Sequence, residues 1–227
     1  LVINGAMQVS QRGTSEASVT SSQYADAPDR FKFEISSAGT WTLSQSTDVP
    51  SGSGFSNSYK VDCTTADASL GSTDYVQLSH YMEGQDLQRF KKGTSSAESM
   101  TVSFWVKSAK TGTYILEFYD GDNSRSNSQS YTIDAANTWE HKKITVPGDT
   151  SGAFDNDANL SLGLFFILGV GSTLSSGTLN TSWNSRVLAN VAVGQVNLAD
   201  STSNDWYLTG VQLEVGTEAT PFEHRSF

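Results

Sequence analysis

Apolar and polar residues alternate in short runs along most of this chain. From 206 to 215, Trp206, Leu208, Gly210, Gln212 and Glu214 fall on one side and Tyr207, Thr209, Val211, Leu213 and Val215 on the other. That is the period of a half-buried strand. Gly216 and then Pro221 end it, because proline cannot continue a ladder. The same period predicts strands over 31–35, 39–44, 59–63, 75–81, 100–107, 113–119, 128–133 and 139–146. Turn chemistry separates them, as in Lys110-Thr-Gly112, Asp120-Gly-Asp-Asn123 and Pro147-Gly148. The run 160–168 is apolar almost throughout, which predicts a strand buried on both faces near the middle of a sheet. A further strand is expected over 189–196. Helical periodicity is nearly absent: 82–92 carries Gly84 and predicts at most one turn.

Many short strands with no helices between them predict an all-β sandwich of two antiparallel sheets, forming one domain over 1–227. Composition agrees, with abundant Ser, Thr, Gly and Asn and only four prolines. No stretch approaches the length of apolar chain that a helical span needs, so no membrane insertion is expected. Lys and Arg total 14 against 24 Asp and Glu, a formal net charge of −10, and no basic run exceeds Lys142-Lys143. Such a field repels phosphate backbones, which argues against a nucleic-acid partner. Cys63 is the single cysteine, so an intrachain disulfide is excluded, and it alternates with Tyr59 and Val61 as a small hydrophobe would. The chain starts at Leu1-Val-Ile and is expected to be a piece of a longer polypeptide.

Catalytic signatures are sparse. The nearest approach to G-x-S-x-G, Gly148-Asp-Thr-Ser-Gly152, has Thr at its centre and lies in a turn. His80, His141 and His224 have no zinc spacing. Glycoside hydrolysis needs only two facing carboxylates, and Glu83, Asp86, Glu117, Asp120 and Glu140 are candidates that spacing cannot sort. The expectation is no enzyme. Asp120-Gly-Asp-Asn-Ser124 and Asp155-Asn-Asp-Ala-Asn159 place oxygen ligands at alternate positions, as calcium loops do. Both lack the EF-hand glycine and glutamate, having Arg125 and Leu160 sixth and Tyr131 and Phe166 twelfth.

The two ends of the chain resemble a known module. The closing "TGVQLEVGTEATPFEHR" (209–225), the opening Asn4-Gly-Ala-Met-Gln-Val-Ser-Gln-Arg-Gly-Thr-Ser15 and Asp29-Arg-Phe31 are similar to the ends of a jelly-roll module of bacteriophage tail-fibre and related virion proteins. The central "SFWVKS" (103–108) and "TWEHKKITVPG" (138–148) resemble core strands of carbohydrate-binding jelly rolls. The resemblance implies a carbohydrate-binding-module-like, galactose-binding-like sandwich on an extracellular phage particle. It implies a host surface glycan as partner and a homotrimer in the full-length protein, so that weak sites are multiplied by avidity. A purely structural virion module and a polysaccharide depolymerase are the alternatives. The family's structural calcium, Ca2+ near the termini, is left open, because Gln8 and Thr209 stand where carboxylates would be.

A sugar site needs exposed aromatics beside polar groups that pair with hydroxyls. Trp183 lies in the polar stretch Asn180-Thr-Ser-Trp-Asn-Ser-Arg186, so Trp183, Asn184 and Arg186 are candidates, with Trp183 either a ligand platform or a plug closing the sandwich. A Trp before "GQVNLADSTSN" (194–204) also resembles the family. Tyr119 and Glu117 alternate with Tyr114, Leu116 and Phe118 and are expected to face outward beside Asp120. Trp41, between two threonines, completes the candidate set.

Overall fold

The computed structural model describes residues 1–224, so Arg225, which ends the closing motif, lies outside the described residues. The described strands are β1 (Ser15–Val19), β2 (Phe31–Ser36), β3 (Thr40–Ser46), β4 (Ser58–Thr65), β5 (Tyr75–Glu83), β6 (Met100–Ser108), β7 (Gly112–Asp120), β8 (Arg125–Ile133), β9 (Glu140–Val146), β10 (Leu160–Val170), β11 (Asn184–Ser185) and β12 (Asp205–Val215). They form two antiparallel sheets, ordered β1-β3-β4-β12-β6-β9 (sheet A) and β11-β8-β7-β10-β5-β2 (sheet B). From β4 onward the chain passes repeatedly from one sheet to the other. This is the jelly-roll β-sandwich that the alternation and the resemblance predict. Residues 82–92 form two short 3-10 turns, Gly84–Asp86 and Gln88–Phe90. Among the described residues no helix is long and apolar enough to cross a membrane.

Alternation sets the core. Phe31 and Phe33 of β2, Leu116 and Phe118 of β7 and Leu164 and Phe166 of β10 face Trp41 and Leu43 of β3, Val61 of β4, Phe104 and Val106 of β6 and Trp206 and Leu208 of β12, all buried. Central β10 pairs with both β5 and β7. Its other face is covered as well: Phe165 and Ile167 pack with Ile115, Val191 and Ala192 in a second cluster. The cover is the excursion 171–197, which folds back over the outer face of sheet B. The strand expected over 189–196 is therefore absent. Leu188–Asn190 is a 3-10 turn, consecutive Val191 and Ala192 are both buried, and their N–H groups bond Leu188 and Leu174 carbonyls instead of a strand ladder.

Strict alternation also fails once in β12. Its apolar residues in the core are Trp206 and Leu208, then Val211 and Leu213, which a period of two would put on opposite faces. The pairing with β6 slips between Thr209 and Gln212, so Gly210 and Val211 together oppose Phe104. Gly210 has φ +64°, which a glycine adopts without steric cost, and the bulge restores the inward face. Beside the bulge, the Val211 N–H donates to the Gly5 carbonyl at 3.0 Å, so the opening segment docks against the closing strand.

Candidate functional site

The structure gathers most of the residues singled out from the sequence at sheet B, and it uses them internally. Glu117 and Tyr119 do face outward from β7, but the 171–197 excursion lies over them. Arg186 from that excursion clamps Glu117 with two bonds of 2.6 and 2.9 Å, and its guanidinium lies 4.9 Å from the Tyr119 ring centroid. Glu117 is fully buried, contrary to the expectation of a surface carboxylate. Trp183 is a plug: its indole N–H donates to the Pro147 carbonyl at 2.8 Å and its side chain is buried. Asn184 is exposed and bonds Ser182 and Asn180 beside it. Trp41 is excluded from any ligand contact. It sits on the inner face of sheet A, donates to the Ala38 carbonyl at 2.8 Å and packs on Phe33.

Asp120 is likewise buried, and with it one of the two calcium-like loops is explained. The Lys92 ammonium lies in a cage made by the Asp120 and Asp149 carboxylates and the Ser151 and Gly152 carbonyls. The Asp122 and Asn123 N–H groups also donate to Asp120, at 3.0 and 3.1 Å. An internal cation thus fills an oxygen-lined site. Burial works against the Asp149 charge, but hydrogen bonds from Arg125, the Ser151 N–H and Lys92 hold its carboxyl below the ordinary range. The second loop closes on itself, with Asp157 accepting from the Asn159 N–H at 2.9 Å. Near the termini, the Thr209 hydroxyl donates to the Asn57 carbonyl at 2.8 Å. These donors do not fit the family's calcium, and among the described residues no group of three or more His, Cys, Asp or Glu side chains could hold a metal.

The other sheet presents an outer face that the 171–197 excursion does not cover. Outer-facing residues of sheet A fall in register as rows crossing the strands. Ser44, Lys60, Tyr207 and Lys107 are consecutive partners on β3, β4, β12 and β6. Trp139, immediately before β9, extends the row. Its ring meets Tyr207 edge-on at 6.1 Å, and Lys107 lies over both rings, at 4.2 Å from Tyr207 and 5.6 Å from Trp139. Lys60 covers Tyr207 from the far side at 5.6 Å. The next row is Thr209, Trp105 and His141, with the Trp105 and His141 rings 5.0 Å apart. Asp48, in the β3–β4 connection, accepts from the Trp139 indole at 2.9 Å and pairs with Lys107. Although burial acts the other way, those two hydrogen bonds hold its carboxyl below the usual range. Trp105 and Trp139 remain partly exposed and His141 is exposed, whereas Tyr207 and Lys107 are buried beneath their neighbours in the row.

One side of this surface is walled. Phe55 from the same connection packs on Gly210 and lies 5.0 Å from Phe222 and 4.9 Å from His224, covering the adjoining part of β12. Strand parity could have found the row: in "SFWVKS" the inward residues are Phe104 and Val106, which leaves Trp105 and Lys107 facing out.

No protein-family model matches the chain, and a search of curated proteins finds no match. Among solved structures it is similar to a cyclase from Fischerella sp. TAU in complex with 4-(1H-indol-3-yl)butan-2-one, at 9% identity and a TM-score of 0.52 over 97% of this chain and 98% of that one. It also matches the tailspike protein 4 enzymatically active domain of bacteriophage CBA120, at 12% identity and a TM-score of 0.48, over 94% of this chain and only 21% of that one. A xylan-binding domain from CBM 22 matches at 13% and 0.41, over 90% and 98%. At these identities the likeness is one of fold.

Chemically, the sheet A surface offers stacking faces and polar edges. Its two ammonium groups, Lys60 and Lys107, face three carboxylates, Asp48, Asp62 and Asp205, so it suits an uncharged ligand. Among the carboxylates considered for hydrolysis, Glu117 and Asp120 are locked in buried ion pairs. Glu140 is held by Lys142 and the Asp134 and Ala135 N–H groups, which outweigh burial and lower its pKa, opposite to what a general acid needs.

Proposed function

We propose that this chain is a non-catalytic glycan-binding module of a phage tail fibre or other virion protein, displayed outside the cell and recognising a host surface polysaccharide. The observation that carries the reading is the outward row Lys60, Tyr207, Lys107 and Trp139 on sheet A, in which Trp139 and Lys60 stay partly exposed above a buried Tyr207 and Lys107, with partly exposed Trp105 and exposed His141 beside them. A pyranose ring presents an apolar face that stacks on indole, and its hydroxyls pair with lysine and carboxylate groups along the same row. The row crosses strands spaced about 4.8 Å apart, so it offers successive contacts to an extended chain of uncharged sugars. Presentation of several copies in a homotrimer would raise a weak single-site affinity without new contacts. The phage assignment is supported by the sequence motifs at the two ends of the chain.

A glycan array with the folded chain and with Trp139→Ala tests it. Binding to a neutral polysaccharide that falls tenfold or more in the variant is expected, a loss of about 1.4 kcal/mol. Trp139→Phe keeps a stacking face while losing the Asp48 bond and should retain most binding. No neutral glycan bound by the folded protein, or binding untouched by Trp139→Ala, would sink the reading.

A further inference from the structure

A second concave site lies on sheet B and shares no residue with the row on sheet A. The stretches 11–12 and 24–30, the end of β5 and the start of β10 enclose a cleft of about 460 Å³. Two apolar groups are open to solvent there: Tyr24 is 46% exposed and Leu160 36%. The backbone before Tyr24 is anchored, because Gln23 exchanges two backbone hydrogen bonds with Phe33 of β2, at 2.8 and 2.9 Å. The Tyr24 hydroxyl makes no hydrogen bond among the described residues.

The charges of the cleft are unequally engaged. Arg12 faces Asp29 at 3.6 Å and donates to the Ala25 carbonyl at 3.0 Å. Asp29 also accepts from the Gln11 N–H. Glu83 accepts from the Gln85 amide at 2.7 Å. Arg30 is exposed, and its guanidinium has no ion-pair or hydrogen-bond partner among the described residues. Nor is its backbone placed by chance. Arg30 has φ +75°, an uncommon conformation for a residue with a side chain. The preceding Asp29 is pinned on both sides, its N–H to the Val9 carbonyl and its carbonyl to the Asn4 amide, each at 2.9 Å. A rigid chain therefore presents a free guanidinium fork to a cleft with an exposed aromatic ring.

A planar guanidinium recognises a carboxylate by two parallel hydrogen bonds. Tyr24 supplies a face for a ring, and Glu83 an acceptor for hydroxyls. We propose that this cleft is a second binding site, for a carboxylate-bearing sugar, in which Arg30 takes the carboxylate and Tyr24 carries the sugar ring. Since the whole chain carries −10 and repels anions at a distance, the preference for acid must come from this one cation and weaken with salt. The site stands whether or not the row on sheet A binds neutral glycan.

An NMR titration of the full chain, following backbone amide shifts, tests this. The probes are oligosaccharides containing galacturonate, glucuronate or N-acetylneuraminate, with galactotriose as neutral control and acetate as free carboxylate. At least one acidic sugar is expected to shift the Arg30, Tyr24 and Glu83 amides, with both controls tenfold weaker or more. Arg30→Gln should weaken that binding at least tenfold and Tyr24→Ala at least threefold, while Trp139→Ala leaves it unchanged. Neither side chain has a partner to lose, so both variants should melt as the parent does; Arg30→Lys, which keeps charge without the fork, should fall between. The proposal is overturned if no acidic sugar shifts these amides, if acetate or galactotriose binds as tightly, or if Arg30→Gln binds as well as the parent. Loss of neutral-glycan binding in Trp139→Ala reports on sheet A alone.

Discussion

Replacing Lys92 with methionine removes the cation from its oxygen cage while keeping the length of the side chain. The Lys92 side chain is 1% exposed, with its ammonium at 3.1 Å from Asp149, 3.1 Å from the Ser151 carbonyl and 2.6 Å from the Gly152 carbonyl, besides its bond to Asp120. It also lies 5.1 Å from the Phe154 ring and 5.3 Å from the Trp183 ring. Breaking a buried pair by deleting one partner costs about 3–5 kcal/mol, because the remaining charge stays buried. Here Asp149 keeps Arg125, at 2.7 and 3.0 Å, so the lower figure applies to the carboxylates. Two carbonyls left without their donor add about 1 kcal/mol. The sum is about 4 kcal/mol. For a domain of this size each kcal/mol moves the melting temperature by about 2–4 °C, so a fall of about 8–16 °C is expected by circular dichroism. In Lys92→Ala the emptied cage has two carboxylates and two carbonyls, a donor set suited to Ca2+. Millimolar calcium should raise the melting temperature of that variant and leave the parent unmoved. A loss in Lys92→Met below about 1 kcal/mol would refute the reasoning, showing that water replaces the ammonium without cost.

Other expectations follow from the same contacts. Trp183→Ala removes a plug bonded to Pro147 and should cost about 3–5 kcal/mol in urea unfolding, with no selective effect on glycan affinity; a stable variant that loses binding would contradict its structural role. Burial, aided by the Arg30 charge, pushes the His80 pKa down to about 3 from 6.5. The folded state thus resists a proton that the unfolded chain accepts, so this contribution is complete above pH 6.5 and falls by about 1.4 kcal/mol per unit below it, towards about pH 3. Chemical denaturation across that window should show the slope, and His80→Gln, which retains an acceptor for the Ile3 N–H, should flatten it; an unchanged slope would assign the acid sensitivity elsewhere. Gly210→Ala forces a side chain into φ +64° and within 2.6 Å of the Phe55 ring, and should cost about 2 kcal/mol while accelerating amide exchange in 47–57. Equal exchange there would mean that the loop does not depend on this contact.

Local alternation carried most of the sandwich, because a strand buried on one face must show its period in its own residues. What it could not carry was the effect of one segment on another. Glu117 and Tyr119 were rightly placed on the outward face of β7, and Lys107 is equally outward on β6. Nothing within either strand tells that 171–197 returns to cover β7 while the corresponding face of sheet A stays open. The excursion itself escaped the period-two reading, since Val191 and Ala192 are buried side by side against Phe165 and Ile167. Asp120-Gly-Asp-Asn-Ser124 was legible as a cation loop, but its cation is Lys92, 28 residues away in sequence. Short β1 and β11 gave no apolar signal of their own. β1 is mostly exposed, and β11 is two exposed residues paired to β8. Trp41 misled because its flanking threonines look like surface, whereas they are the outward half of the strand whose inward half is Trp41 and Leu43.

The bulge at Gly210 connects the core to the candidate site. Had β12 kept a strict period, Trp206 and Leu208 inside would have put Val211 and Leu213 outside, as an apolar continuation of the Tyr207 row. The inserted residue turns both inward, where they are buried, and confines the outward aromatics to the Tyr207 end of the strand. The bare backbone of Gly210 then admits Phe55, and Phe55 with Phe222 and His224 forms the wall beside the outward row. The same connection carries Asp48, which orients Trp139 and Lys107. One glycine therefore settles which face each half of β12 presents, and with it where the ligand surface ends.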